Sequence, residues 1–220
     1  MNYIIKRFFR TNHQTTSLEG LICPQNSDKQ QKIKVFGWSV GGAIIQDFYV
    51  WAKMESLKLS LWGFIKLYLT RPEFRCLLDF RLKRKKMFLP LRVLNFPFCR
   101  GHQLYICARN GIGGGLYFQH GFSTIVFCNS MGCNCFINQQ VTIGYDGSTG
   151  IPTIGNDVRI SAGAKVLGKI TIGDDVYIGA NAVVVKDIPA HSMVVGVPGK
   201  IIKTRNSVTD EWKRVDTVRN

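Results

Sequence analysis

The stretch GLYFQHGFSTIVF, residues 115–127, is almost wholly apolar, aromatic or small, with His120 at its centre. An imidazole titrates near neutral pH, so His120 is suited to take a proton from a reacting group and return it. A lone histidine in so apolar a setting is also the profile of a packed, hydrogen-bonded core residue. Taken alone, the stretch favours the packed reading.

The other reactive side chains are less suggestive. His191, in PAHSM, has polar neighbours and reads as a surface residue, and His13 and His102 carry no motif. The seven cysteines are odd in number and irregular in spacing. That argues against a secreted disulfide framework and for a reducing cytoplasm. CNC, Cys133–Cys135, offers two thiols where a zinc site usually needs four ligands. Small buried thiols are the reading there, and no metal is expected.

The 220 residues suit one sizeable domain or a domain with an appendage. Residues 1–110 hold 19 Lys and Arg against 6 Asp and Glu, a net +13 of the chain's +15. The basic run RLKRKK, residues 81–86, is either a solvated helix face or a patch for an anionic membrane, nucleic acid or acidic substrate. No interleaved aromatics or recognised module surround it, so nucleic acid is not an expected partner. The most apolar early stretch, residues 35–51, is interrupted by Gln46 and Asp47. Its uncharged part falls short of the ~20 residues of a spanning helix. No signal peptide is evident. The expectation is a cytoplasmic protein, with peripheral contact to the inner membrane face open through the basic helical region.

Two grammars divide the chain. Residues 1–34 read as an uncertain or flexible segment, 35–100 as an α-helical region, 101–203 as a β-domain and 204–220 as a tail. Apolar spacing predicts helices over 42–53 and 56–69, the second carried by Leu57, Leu61, Phe64, Ile65 and Tyr68. Pro72 opens a third, from Glu73 to about Met87.

From Ile112 a six-residue beat takes over. Ile154, Ile160, Val166, Ile172, Ile178 and Val184 follow one another at intervals of six, after Ile125, Met131, Ile137 and Ile143 and, earlier, Ile112 and Phe118. No helix has a period of six. A hexapeptide coil does: six residues make one side of a triangular prism, three sides close a turn, and the beat residue points inward. The expected fold is mainly β, a left-handed parallel β-helix after an α-helical N-terminal region. The beat fails twice. Phe118 to Ile125 is seven residues and contains His120. Ile143 to Ile154 is eleven, leaving a loop at YDGSTGIPT, residues 145–153. Insertions in solenoids map to loops, and loops carry function.

Residues 154–202, IGNDVRISAGAKVLGKITIGDDVYIGANAVVVKDIPAHSMVVGVPGKII, resemble the C-terminal part of the hexapeptide-repeat acetyltransferases. HGFSTIVFCNSMGCNCFINQQVTIGYDGSTG resembles more narrowly the serine acetyltransferase branch, which includes many O-acetyltransferases of surface polysaccharides. FIKLYLTRPEFRCLLDFRL is similar to the helices of the polysaccharide group. The resemblance implies acetyl transfer from acetyl-CoA to a hydroxyl, without metal, in a homotrimer with sites between subunits. It places His120 as the general base. It places Gly144 and Tyr145 along the pantetheine arm, Ala162 and Ala180 where CoA lies close to the coil, and Lys186 and Lys200 near its phosphates. Gln119, Asp146 and Ser148 are candidate acceptor contacts.

Three departures shape the expected acceptor. Where serine acetyltransferases have an Asp just before the base, a second His after the Gly-rich turn and an orienting Asp fifteen residues upstream, this chain has Gln119, Ile151 and Tyr105. The expectation is therefore an O-acetyltransferase acting on a sugar or polysaccharide precursor. The alternatives are serine O-acetyltransferase, disfavoured by Gln119 and Ile151, and a non-catalytic trimeric scaffold.

Overall fold

In the computed structural model, residues 33–35, 38–40, 42–84, 103–147 and 150–215 are described. His13, His102, Ser148 and the Lys85–Lys86 end of the basic run lie outside the described residues. Strands β1 (Ile33–Val35) and β2 (Trp38–Val40) pair antiparallel, so Ile33 and Lys34 are strand where the sequence reads as loop.

Three helices follow: α1 (Gly42–Met54), α2 (Leu61–Thr70) and α3 (Pro72–Arg84). The second starts five residues later than its apolar spacing predicts. Ser56 takes a left-handed φ of 55°, and Ser60 is the N-cap, its hydroxyl accepting from Gly63 N at 3.1 Å. Leu57 still packs against the core, but from the connecting loop. Pro72 has no N–H to leave unpaired and opens α3.

Five coils follow. The first runs β3 (Leu104–Ala108), Ile112, β4 (Tyr117–Gln119); the second β5 (Thr124–Cys128), β6 (Ser130–Met131), β7 (Phe136–Asn138). The third is β8 (Thr142–Gly144), β9 (Thr153–Ile154), β10 (Arg159–Ile160); the fourth β11 (Lys165–Leu167), β12 (Thr171–Ile172), β13 (Tyr177–Ile178). The fifth is β14 (Val183–Val184), Ile188, β15 (Ser192–Val195). Parallel pairing stacks them into three faces. The first holds β3, β5, β8, β11 and β14; the second β6, β9 and β12; the third β4, β7, β10, β13 and β15. β16 (Lys200–Thr204) and β17 (Lys213–Arg214) extend the third face antiparallel, so part of the expected tail is strand. This is the parallel β-solenoid that the beat predicts.

Ile154, Ile160, Val166, Ile172, Ile178 and Val184 are all 2% exposed or less. Burying each aliphatic side chain stabilises by roughly 1.5–3 kcal/mol. Glycine recurs beside the beat because the coils touch there. A Cβ on Gly155 would sit 2.8 Å from the Gly173 backbone, and one on Gly173 would sit 2.4 Å from Ala190 N. One beat residue is misplaced by the sequence pattern: Ile125 is 46% exposed, and Val126 is the inward residue, in register with Ile143.

The helices meet the coil at a buried ion pair. Asp47 of α1 accepts from Gly115 N at 2.8 Å, Leu116 N at 3.0 Å and Arg81 Nε at 2.8 Å. Arg81 of α3 also donates to the carbonyls of Ile112 and Gly113, at 2.5 and 2.6 Å. Burial pushes the Asp47 carboxyl up, while Arg81 and the two amides pull it down. Beside the pair, Trp51 Nε1 donates to Leu116 O at 2.9 Å and its ring packs 4.5 Å from that of Tyr117. Arg81 is thus a buried strut and not part of an open basic patch, and Lys83 of the same run pairs with Asp79.

At the other end, His191 is half-buried where the sequence reads as surface. Its Nδ1 lies 2.8 Å from Asp175 Oδ2, an oxygen that Arg205 Nε also reaches at 2.7 Å. Burial works to raise the Asp175 carboxyl, but the bonds from Arg205 and His191 outweigh it and hold the group below the usual range.

Two outcomes follow. Asp47→Ala leaves Arg81 buried without a counter-ion and is expected to cost about 3 kcal/mol or more in urea unfolding; a cost under about 1 kcal/mol would show that the pair does not anchor the helices. Asp175 has a depressed folded pKa, so its stabilisation is present above the unfolded value of about 3.9 and lost as pH falls through the folded one. Asp175→Asn should therefore lower Tm at pH 7, with the gap to the parent closing below about pH 4.

Candidate active site

The corner from the third face to the first is regular in the lower coils. Gln140, Gly163 and Asn181 each take a left-handed φ, of 60°, 74° and 57°. Each amide bonds to the coil above: Gln140 N to Phe122 O at 3.0 Å, Gly163 N to Gln139 O at 3.0 Å, Asn181 N to Ala162 O at 2.9 Å. Ser123, with φ of 51°, heads this column. The later members lie four residues after Phe136, Arg159 and Tyr177, which are in register with Tyr117. Ser123 lies six after Tyr117. The first corner therefore holds two extra residues, and the inward step from Phe118 to Val126 is eight residues, not the seven that Ile125 suggested.

His120 stands in that widened corner. It is exposed, with a left-handed φ of 54°. A non-glycine residue held there costs on the order of 1 kcal/mol. Its carbonyl accepts from Phe122 N at 2.9 Å, closing the bulge. The packed reading of His120 is overturned: it is presented to solvent by a corner built to widen.

The helices supply the wall opposite. Glu73, in the first turn of α3, accepts from Gly121 N at 3.2 Å, and a Cβ on Gly121 would lie 3.0 Å from Glu73 Cγ. Beside it Tyr117 donates to Glu55 Oε1 at 3.1 Å, and Glu55 pairs with Arg71. Burial and then the Glu55 charge raise the Tyr117 phenol, which stays neutral. Sequence reasoning missed Glu73 because the contact spans 48 residues and nothing local marks it.

The three departures fall in different places. Ile151 is 6% exposed and packs inward. Tyr105 is exposed on β3, its phenol raised chiefly by a hydrogen bond with Cys107. Gln119 ends β4 in register with Asn138, next to His120.

Ala162 and Ala180 each sit one residue before a column member, so both share His120's edge. Three coil spacings, about 14 Å, separate its corner from Ala180. Gly199 N donates to Val183 O at 2.7 Å, setting the turn that leads to the exposed Lys200 against the last coil on that edge. Gly144, Tyr145, Asp146 and the exposed Lys186 lie across the first face, on its far edge. A Cβ on Gly144 would meet nothing within 4 Å, so that flank is open. Among the described residues, no group of three or more His, Cys, Asp or Glu could hold a metal ion.

Residues 151–186 match the family described as bacterial transferase hexapeptide (six repeats). Over these residues the repeat is similar to that of the hexapeptide transferases. The chain is 40% identical over 134 residues to a serine acetyltransferase of Staphylococcus xylosus, covering 58% of this chain and 61% of the relative. It is 36% identical over 126 residues to one from Bacillus pumilus, covering 54% and 57%. The chain thus spans about three fifths of the length of these relatives. Among solved structures, the soybean serine acetyltransferase apoenzyme aligns with a TM-score of 0.54 at 26% identity over 73% of this chain and 67% of that one. The Neisseria gonorrhoeae enzyme in complex with serine aligns at 0.51 and 26%, over 72% and 67%. A serine acetyltransferase complex with CoA aligns at 0.52 and 25%, over 73% and 68%.

These similarities correct the expected sugar acceptor and the polysaccharide branch: the relatives are serine acetyltransferases. That expectation rested on Gln119 and Ile151, which stand where serine acetyltransferases have an Asp and a His, and the relatives overturn it. The carboxylate at His120's corner comes from α3.

Glu73→Ala should free the Gly121 amide and speed hydrogen exchange at residues 120–122 several-fold, with Tm little changed. Unchanged exchange there would show that Glu73 does not hold the corner.

Proposed function

We propose that this chain is an acetyl-CoA-dependent O-acetyltransferase whose acceptor is the hydroxyl of L-serine. The observation that carries the reading is His120, exposed in a widened corner at the head of the edge that bears Ala162 and Ala180, with Glu73 beside it. The similarity to serine acetyltransferases supports the same acceptor.

An alcohol is a weak nucleophile near neutral pH. The His120 imidazole takes the serine hydroxyl proton as the oxygen attacks the thioester carbonyl. A tetrahedral oxyanion forms and needs nearby N–H donors, a role proposed for Gln119 beside the histidine. Its collapse breaks the C–S bond, and the imidazolium returns the proton to the leaving thiolate. O-acetylserine and free CoA result. Glu73 accepts from Gly121 N with one oxygen, and the other is proposed to accept from the serine ammonium. A sugar hydroxyl brings no such cation.

CoA is proposed to run down the first face, past the small residues Gly144, Ala162 and Ala180 and alongside Tyr145, with Lys186 and Lys200 meeting its phosphates. Asp146 and Ser148 are proposed as further acceptor contacts from the loop. The chain is proposed to act as a homotrimer. Exposed Phe122, two residues after His120, and the strand-paired Tyr105 and Ile125 are proposed to offer a neighbouring copy an apolar seat.

Free CoA release should be followed with acetyl-CoA and a panel of serine, simple sugars and nucleotide sugars. Release is expected with serine alone. His120→Ala should lower kcat about 10²-fold or more while keeping Tm. Release with a sugar and none with serine, or full activity in His120→Ala, would overturn the reading.

A further inference from the structure

The helix α2 is apolar on both sides. LWGFIKLYLT has a single charged residue, Lys66. One side is accounted for: Gly63 and Leu67 are buried, and Phe64 meets Phe48 and Phe74 in edge contacts at 5.4 and 5.6 Å. The other side faces solvent. Trp62 is 79% exposed, Leu69 64%, and Leu59 and Leu61 53% each. Trp62, Ile65, Lys66 and Leu69 follow helical spacing on that side and line a shallow groove with Leu57 and Lys58. So contiguous an exposed apolar patch marks an interaction surface.

The charges around it decide what kind. Lys53, Lys58 and Lys66 are exposed around the patch. Glu55, between Lys53 and Lys58, is engaged with Arg71 and Tyr117. The half of the chain that holds α2 carries a net +13. A second copy is a poor occupant, because a two-fold contact would set this patch against itself and bring lysines together. An anionic bilayer surface satisfies both features. Tryptophan and leucine enter the interfacial layer while lysines reach the headgroups. No described helix is long and apolar enough to cross a membrane, so the contact is with the surface.

We propose that α2, with the loop before it, docks the protein onto anionic lipid surfaces through Leu59, Leu61, Trp62 and Leu69 and the rim lysines. This differs from an attraction to the basic run near residue 81, whose arginine is buried against Asp47.

The full chain should float with phosphatidylglycerol–phosphatidylcholine vesicles at low salt and much less with phosphatidylcholine alone. Trp62→Ser with Leu69→Ser should weaken partitioning about tenfold or more, and so should Lys58→Glu with Lys66→Glu. Both variants should keep the parent's circular dichroism and melting curve, since the altered side chains are exposed. Absence of binding to the anionic vesicles at low salt would overturn the proposal. So would binding that neither pair of substitutions weakens. Self-association that Trp62→Ser with Leu69→Ser abolishes, without vesicle binding by the parent, would give the patch to a second copy instead.

Discussion

One buried carboxylate joins the two parts of this protein. Asp47 spends its oxygens on two amides of the first coil and on Arg81, which in turn caps two carbonyls of the same turn. Helices α1 and α3 are thereby fixed to the segment 112–116, immediately before β4. His120 directly follows that strand, and Glu73 is on the helix that Arg81 anchors. Without this joint the coil can still stack, but nothing sets the helical wall at the right height beside the histidine.

The coil was legible in the sequence because its constraint is local and repeats. A position that points inward every six residues must be apolar each time, and Ile154 through Val184 obey. The pattern misled where the repeat itself changes. Ile125 satisfied the beat by type, yet the two extra residues at the corner carry it to the outside and bring Val126 in. The start of α2 was misread for a similar reason: Leu57 has the right type and spacing, but the chain reaches its buried place from a loop capped by Ser60.

The site was half legible. His120 could be found from the broken beat. Glu73 could not, since a first-turn glutamate after a proline looks like ordinary helix-dipole chemistry. Arg81 was read as one of five basic residues in a run, and only tertiary contacts separate it from its neighbours. Residue types along the coil therefore described one wall of the site and suggested the wrong acceptor. The second wall is made by chain that lies far away in sequence.

The stacked corner has a further consequence. Each coil contributes one rung, and the glycines between coils leave no slack in the spacing. A ligand lying along the His120 edge is therefore measured against a ruler with fixed divisions. Adding or deleting three hexapeptides would move its far contacts by one whole rung, about 4.8 Å, and never by a fraction. On the proposed acetyl-CoA reading, donor length would be selected in discrete steps. Finer tuning of what reacts is left to the one place where the ruler is irregular, the corner that holds the histidine.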